Sequence, residues 1–475
     1  MSHPLYVAFV WHLHQPYYRD EETGEYTQPW VRLHAVKDYL HLAQVLADYP
    51  AIRQTFNLVP CLVEQLSDYV QNQAMDRAQR LSRTPATKLT AQEKACLLSF
   101  FFSISWEKVI RRQPHYWRLL RLKEEVGDQP GLLSTAYYRD LVAWFNLAWI
   151  DPATRERDRE LKALVDKGSG YSHRDIEMIL YKHQEMMAEI IPLYRRLQTR
   201  GQMEISTSPY FHPVLPLLID NGSAREASPG LELADPGFVH PEDAAEQIRL
   251  AVEAHRRCFG EPPRGLWPSE GAVSQELVDL VASRTDFAWL ASDEGVLARS
   301  LGIAIERDGQ GRVLNPQALY QPYRLEPAWP HRNGPGLQIV FRDHQLSDLI
   351  GFAYKHWDES AAAEDLVARL RGIHHPLAGD DAPHLVTIIL DGENCWEEYD
   401  HNGDRFLRHL YELISWDSSL QTTTLSEYLA RFPAKDALPR LATGSWIGAN
   451  LETWIGEPAQ NRAWEYLKRA KARLT

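Results

Sequence analysis

Gly265-Leu266-Trp267-Pro268-Ser269-Glu270-Gly271 is a short apolar run that ends at a tryptophan, after which proline and glycine bracket a single carboxylate. Proline closes a strand because it has no N–H for the ladder, and glycine lets the backbone turn sharply. The pattern therefore puts Glu270 at the mouth of a strand instead of along a helix face. Leu337-Gln338-Ile339-Val340-Phe341-Arg342-Asp343 repeats the arrangement as a strand-like run ending on Arg-Asp. Two carboxylates at two strand ends suit glycoside hydrolysis. One serves as nucleophile or base, and the other gives a proton to the leaving oxygen. The plainer alternatives are a helix N-cap and a salt bridge to a neighbouring arginine.

The rest of the chain supplies the same kind of unit. Leu5 to Trp11 is continuously apolar, as a buried strand is, and runs into His12-Leu13-His14-Gln15-Pro16, with His12 and His14 on one face. A helical pattern over 34–49 and a strand over Ile52 to Val59 follow. Residues 61–200 read as a helical insertion, a succession of long amphipathic patterns closed by Arg200-Gly201. Alternation resumes at Met203 to Ser208, where Glu204, Ser206 and Ser208 share a face. A helix over Pro241 to Cys258 precedes the Glu270 strand. Then come a helix from Ser274, a strand over Phe287 to Ala291, a Gly/Pro-rich connection through about residue 336, the Asp343 strand and a helix near 345–372. Leu385 to Leu390 is a seventh strand and delivers Asp391-Gly392-Glu393-Asn394. Seven strands alternating with helices predict a mostly parallel α/β barrel over residues 1–400, with its chemistry at the carboxyl-terminal strand ends. Residues 401–475 read as a C-terminal region of helices and a Trp-containing loop packed on the barrel.

The 475 residues, 44% hydrophobic, are enough for a large core, and the formal charge of −13 argues against a nucleic-acid or anionic-membrane partner. No apolar run reaches the roughly 18 residues that a membrane helix needs. The start of the chain shows no basic leader. Cys61, Cys96, Cys258 and Cys395 lack CxxC spacing, so free thiols and a cytoplasmic location are expected.

His12 and His14 admit three readings: ligands of a metal completed by Glu204, Asp343 or His344; partners of sugar hydroxyls; or buried, satisfied histidines. Arg342 is placed to lower a carboxylate's pKa or to bind substrate. Asp391 and Glu393 also follow an apolar strand on one face, and spacing alone does not rank them against Glu270 and Asp343. Trp267, Trp396, Trp446 and Trp454 are candidates for stacking on sugar faces or for the core.

Taken together, these stretches resemble glycoside hydrolase family 57, especially its amylopullulanase-like and α-amylase-like members. His12-Leu13-His14-Gln15-Pro16 is similar to the family's first region and Gly201-Gln202-Met203-Glu204-Ile205 to its second. Gly265 to Glu270 is similar to the third, with the nucleophile, and Phe341-Arg342-Asp343-His344-Gln345-Leu346-Ser347-Asp348 to the fourth, with the acid/base aspartate. Leu390 to Glu397 and the segments around Trp446 and Trp454 resemble later regions of the amylopullulanase-like members. The resemblance implies an incomplete (β/α)7 barrel and a retaining mechanism on α-glucans. On it, Glu270 and Asp343 rank as the catalytic pair, ahead of Asp391 and Glu393. His12, His14, Gln15, Glu204, Arg342, Asp391 and Glu393 are then expected to bind substrate, with Trp267, Trp396 and Trp454 as stacking walls.

The expected function is a retaining α-glucan hydrolase with no cofactor and no metal, whose partner is its oligo- or polysaccharide substrate. Its rivals are an α-glucan transglycosylase (a branching enzyme or 4-α-glucanotransferase), a metal-dependent polysaccharide deacetylase and a glycan-binding barrel without turnover. The sequence leaves the oligomeric state open.

Overall fold

Leu5–Leu13 (β1) is buried along its whole length because both its faces are covered. Leu5, Val7, Phe9, Trp11 and Leu13 pack with the helices outside, while Tyr6, Ala8 and Val10 join Trp267, Trp289, Val340 and Ile389 inside the sheet. That is why the run shows no polar alternation. The computed structural model describes residues 3–127, 129–233, 237–328 and 336–474. The strands after β1 are Gln54–Leu58 (β2), Met203–Thr207 (β3), Gly265–Leu266 (β4), Trp289–Asp293 (β5), Tyr323–Leu325 (β6), Gln338–Arg342 (β7), Leu385–Asp391 (β8), Leu420–Thr422 (β9) and Ala437–Leu438 (β10).

The sheet runs β10-β6-β7-β5-β4-β3-β2-β1-β8, with β9 added beside the start of β1. The seven strands from β7 to β8 are parallel and are the seven expected from sequence. This is the mixed, mostly parallel, curled sheet of an incomplete (β/α)7 barrel. The sequence reading missed β6, which is antiparallel to β7, and also β9 and β10. The last two lie in the stretch read as helices and loop, and strands of two or three residues are too short to show a period.

The sheet ends at β8, which has no ladder to β7 among the described residues. Here the barrel is joined by other means. The Asp343 N–H donates to Thr387 O at 2.8 Å, and the Ile389 N–H donates to Ser347 Oγ at 3.2 Å. The Arg342 guanidinium reaches Ile389 O at 3.2 Å. The segment just after β7 is thus the seam of the barrel.

Helices from Pro60–Gln71 to His173–Thr199 fill the interval between β2 and β3. The expected helix near 345–372 is broken into His344–Asp348, a π turn over Leu349–Ala353, a short turn over Tyr354–His356 and a helix over Glu359–Leu377. The break has a local cause, because Asp358 caps a new helix by accepting from Ser360 N and Ala361 N at 3.0 Å. No helix among the described residues is long and apolar enough to cross a membrane.

Candidate active site

At the start of β4 the chain leaves room for nothing but glycine. A Cβ on Gly265 would lie 1.9 Å from the Trp289 ring. After Pro268 the backbone turns so tightly that Glu270 takes φ 61°, ψ 22°, a left-handed conformation that a residue with a Cβ adopts at a cost of about 1–2 kcal/mol. A segment from the far end of the chain holds it there. Trp446 N donates to Glu270 O at 3.1 Å, the Trp446 indole N–H donates to Glu270 Oε2 at 2.9 Å, and Val273 and Gly444 exchange backbone bonds of 2.8 and 3.1 Å. The strain therefore serves to hold one carboxylate at the mouth of the barrel.

A cleft of about 510 Å³ opens beside it, lined by Glu270, Arg342, His344, Asp391, Asn394 and Trp446 among others. Asp391 ends β8 directly opposite His12 of β1, and its carboxylate accepts from Asn394 Nδ2 at 2.7 Å. Burial pushes its carboxyl up to about 6, against the opposing pull of Asn394 and Arg342. Burial also raises Glu270, against His12 and the Trp446 N–H, and the nearby Asp391 charge adds to the rise. Two carboxyl groups thus share one cleft, and Glu270 feels the charge of Asp391. Glu393 lies buried beside them, its Oε1 accepting from His14 N at 3.2 Å and Gln15 Nε2 at 3.3 Å. Burial and the Asp391 charge drive it well above the usual carboxylate range.

The histidines form a stack. His14 lies 4.0 Å and His12 4.9 Å from His212, ring centre to ring centre. His212 Nδ1 stands 3.8 Å from Glu270 Oε1. His12 Nδ1 meets the Asn57 amide oxygen at 2.7 Å. That oxygen only accepts, so Nδ1 carries the proton and Nε2 offers a lone pair. Burial lowers all three rings, His14 to about 3, so the stack is neutral at ordinary pH. Neutral imidazoles suit hydroxyl recognition, and they also suit a metal. Among the described residues, however, the three side chains whose ligand atoms converge are His240, Glu242 and Asp243, at the start of a surface helix. There Lys471 reaches Asp243 at 2.5 Å.

The remaining sequence candidates stand as follows. Arg342 lines the cleft, bonds Asp293 at 2.7 Å and lies over the Trp446 ring at 5.1 Å. Trp267 is fully buried and packs under His12 and Trp446. Asp343 is brought elsewhere. Its side chain is wholly buried, and Oδ1 accepts from Leu346 N at 2.9 Å and Arg307 at 3.2 Å. Oδ2 accepts from the Tyr320 hydroxyl at 2.8 Å. It caps the His344–Asp348 helix at the seam and does not line the cleft. The reason is parity: Val340 and Arg342 face inward on β7, so Asp343 turns outward.

Glu204 faces inward but one layer too low. It pairs with Thr55, two residues before the Asn57 that bonds His12. It is taken up by the Trp289 indole at 3.0 Å, Ser426 N at 2.9 Å and Thr55. Trp396 is a core residue bonded to Gly392 O at 2.8 Å, and Trp454 packs in a separate cluster with Leu451 and Ile455. Neither lines the cleft. The sequence reading passed over His212, Asn57 and Asp293 and gave Trp446 only as a candidate for stacking or the core. The one signal for His212 was its position in the polar-aromatic run just after β3.

The profile of glycosyl hydrolase family 57 matches residues 8–440. An alpha-amylase of Pyrococcus furiosus is 25% identical over 254 residues, 52% of this chain and 31% of that protein. A Methanocaldococcus jannaschii protein is 22% identical over 293 residues, 59% of this chain and 50% of its own length. The chain thus spans half or less of the curated relatives it matches. Among solved structures, a GH57-type branching enzyme from Pyrococcus horikoshii superposes with a TM-score of 0.58 at 15% identity. The match covers 97% of this chain and 76% of that one, a likeness of fold.

Proposed function

The chain belongs to glycosyl hydrolase family 57, and on that premise we propose that it is a retaining enzyme of α-glucans, with Glu270 as nucleophile and Asp391, in place of Asp343, as acid/base. The observation that carries the reading is the pair itself: one cleft holds both carboxyls, and the one on β8 is pushed to about 6. A carboxyl titrating there keeps a proton for the leaving oxygen near neutral pH and gives it up readily.

In the first step Glu270 Oε attacks the anomeric carbon, the C1–O bond breaks, and the Asp391 proton passes to the departing oxygen. In the second, water attacks C1, loses a proton to the Asp391 carboxylate and releases Glu270. The Trp446 N–H and the nearby His212 fix the Glu270 carboxylate on its strained turn. His12 Nε2 supplies an acceptor for a sugar hydroxyl, and Glu393 holds the Gln15 amide and the His14 backbone beside it. The alpha-amylase and branching-enzyme names of the relatives support α-glucan as the substrate class. Incubation with amylose and with pullulan tests the reading, with new reducing ends as the expected product. Folded protein that leaves every α-glucan untouched would sink it.

A further inference from the structure

Phe352 and Ile447 are 68% and 44% exposed, yet both line the cleft that holds Glu270 and Asp391. Scattered exposed apolar side chains are ordinary on a protein surface. Two of them on one catalytic cleft, brought from segments almost a hundred residues apart, are a different matter.

Each stands on a fixed backbone. Phe352 projects from the π turn Leu349–Ala353, a form that favours functional sites. Its neighbour Ile350 is buried and accepts the Tyr399 hydroxyl at 2.6 Å. Ile447 follows the Trp446 that clamps Glu270. Its turn is tied by Ser445 Oγ to Asn450 O at 2.7 Å and by Arg299 to Ala449 O at 2.6 Å. Both residues keep a large part of their apolar surface uncovered by the chain, so part of the ring and of the branched chain is left for something that enters the cleft. A pyranose offers a face of C–H groups to such a surface. Asp391 gives its proton to the leaving oxygen, so the sugar held beside it is the departing one.

We infer that Phe352 and Ile447 form an apolar acceptor subsite. They hold the glucosyl unit that departs past Asp391 and the one that returns, and so set how often the glycosyl-enzyme is passed to a sugar instead of to water. The inference rests on the retaining α-glucan reading above. In transfer, a sugar hydroxyl oxygen bonds to C1, the C1–Glu270 ester bond breaks, and the hydroxyl proton goes to Asp391. Water does the same in hydrolysis, so the two outcomes compete for one intermediate and differ only in what occupies the subsite.

The test follows initial rates of maltooligosaccharide turnover with excess labelled maltose as acceptor, scoring labelled transfer products against new reducing ends. Phe352→Ala and Ile447→Ser should each lower the transfer-to-hydrolysis ratio, by about tenfold for the aromatic. Phe352→Tyr should keep it, and so should Trp416→Ala, which removes an 85% exposed tryptophan that does not line the cleft. The inference fails if the ratio is unchanged in both cleft variants, falls equally in Trp416→Ala, or is zero in the wild type. A wild type that neither transfers nor hydrolyses would overturn the underlying reading as well, and that outcome is distinct from the others.

Discussion

Replacing Asp391 by asparagine should stabilise the protein at alkaline pH while disabling it. The carboxyl is raised from 3.8 to about 6 by burial, so the folded state holds the proton more tightly than the unfolded one. Such a group favours folding below about 3.8, and the benefit is lost as pH rises through about 6. Two pH units correspond to about 3 kcal/mol of ionisation penalty above pH 7, which Asp391→Asn removes while keeping an acceptor for Asn394. With unfolding entropy near 2.1 cal/mol/K per residue, the variant should melt about 3 °C above wild type at pH 8 and level with it at pH 4. Turnover of unactivated glucan should collapse at both, while a glycosyl fluoride, whose leaving group needs no proton, still reacts with Glu270. Melting curves at the two pH values, with fluoride release, make the assay. An Asp391→Asn protein less stable than wild type at pH 8 would refute the claim that this carboxylate is held against its ionisation.

Trp446→Phe removes an N–H from the charged form of Glu270, so kcat/KM should fall about 10- to 100-fold and the acid limb of its pH profile should move to higher pH. An unshifted limb would detach Trp446 from the nucleophile. Asp343→Asn should behave as a structural change, costing about 3 kcal/mol in urea denaturation, the low end for a broken buried pair because Arg307 keeps Glu294. The folded variant should turn over glucan close to wild type. EDTA treatment followed by gel filtration should leave activity intact, and activity restored only by added zinc would make the histidine stack a metal site.

Much of this was legible in the sequence. The seven parallel strands came from continuous apolar runs that stop at Pro, Gly or a polar motif. The position of Glu270 at a strand mouth came from Pro268 and Gly271. The opposite orientations of Asp343 and Asp391 could have been read as well. On β7 the residues in step with Val340 end at Arg342, which leaves Asp343 on the outer face, and on β8 the residues in step with Ile389 end at Asp391. Resemblance outweighed parity there, and the helix N-cap first considered for strand-end acids is what Asp343 became. Glu204 shows a different limit. Its face was right, but the depth of a residue in a barrel depends on register between strands, which one sequence does not carry. Trp446 and His212 reach Glu270 from 176 and 58 residues away, and no local pattern marks such a contact.

The pairing of Glu270 with Asp391 is tested most directly by the anomer of glycosyl azide formed when azide rescues each variant on an α-maltosyl fluoride. Asp391→Asn should give the α-azide, because azide attacks the glycosyl-enzyme made by Glu270, and Glu270→Gly should give the β-azide by direct displacement. An α-azide from Asp343→Asn with none from Asp391→Asn would contradict the account and return the acid/base role to Asp343.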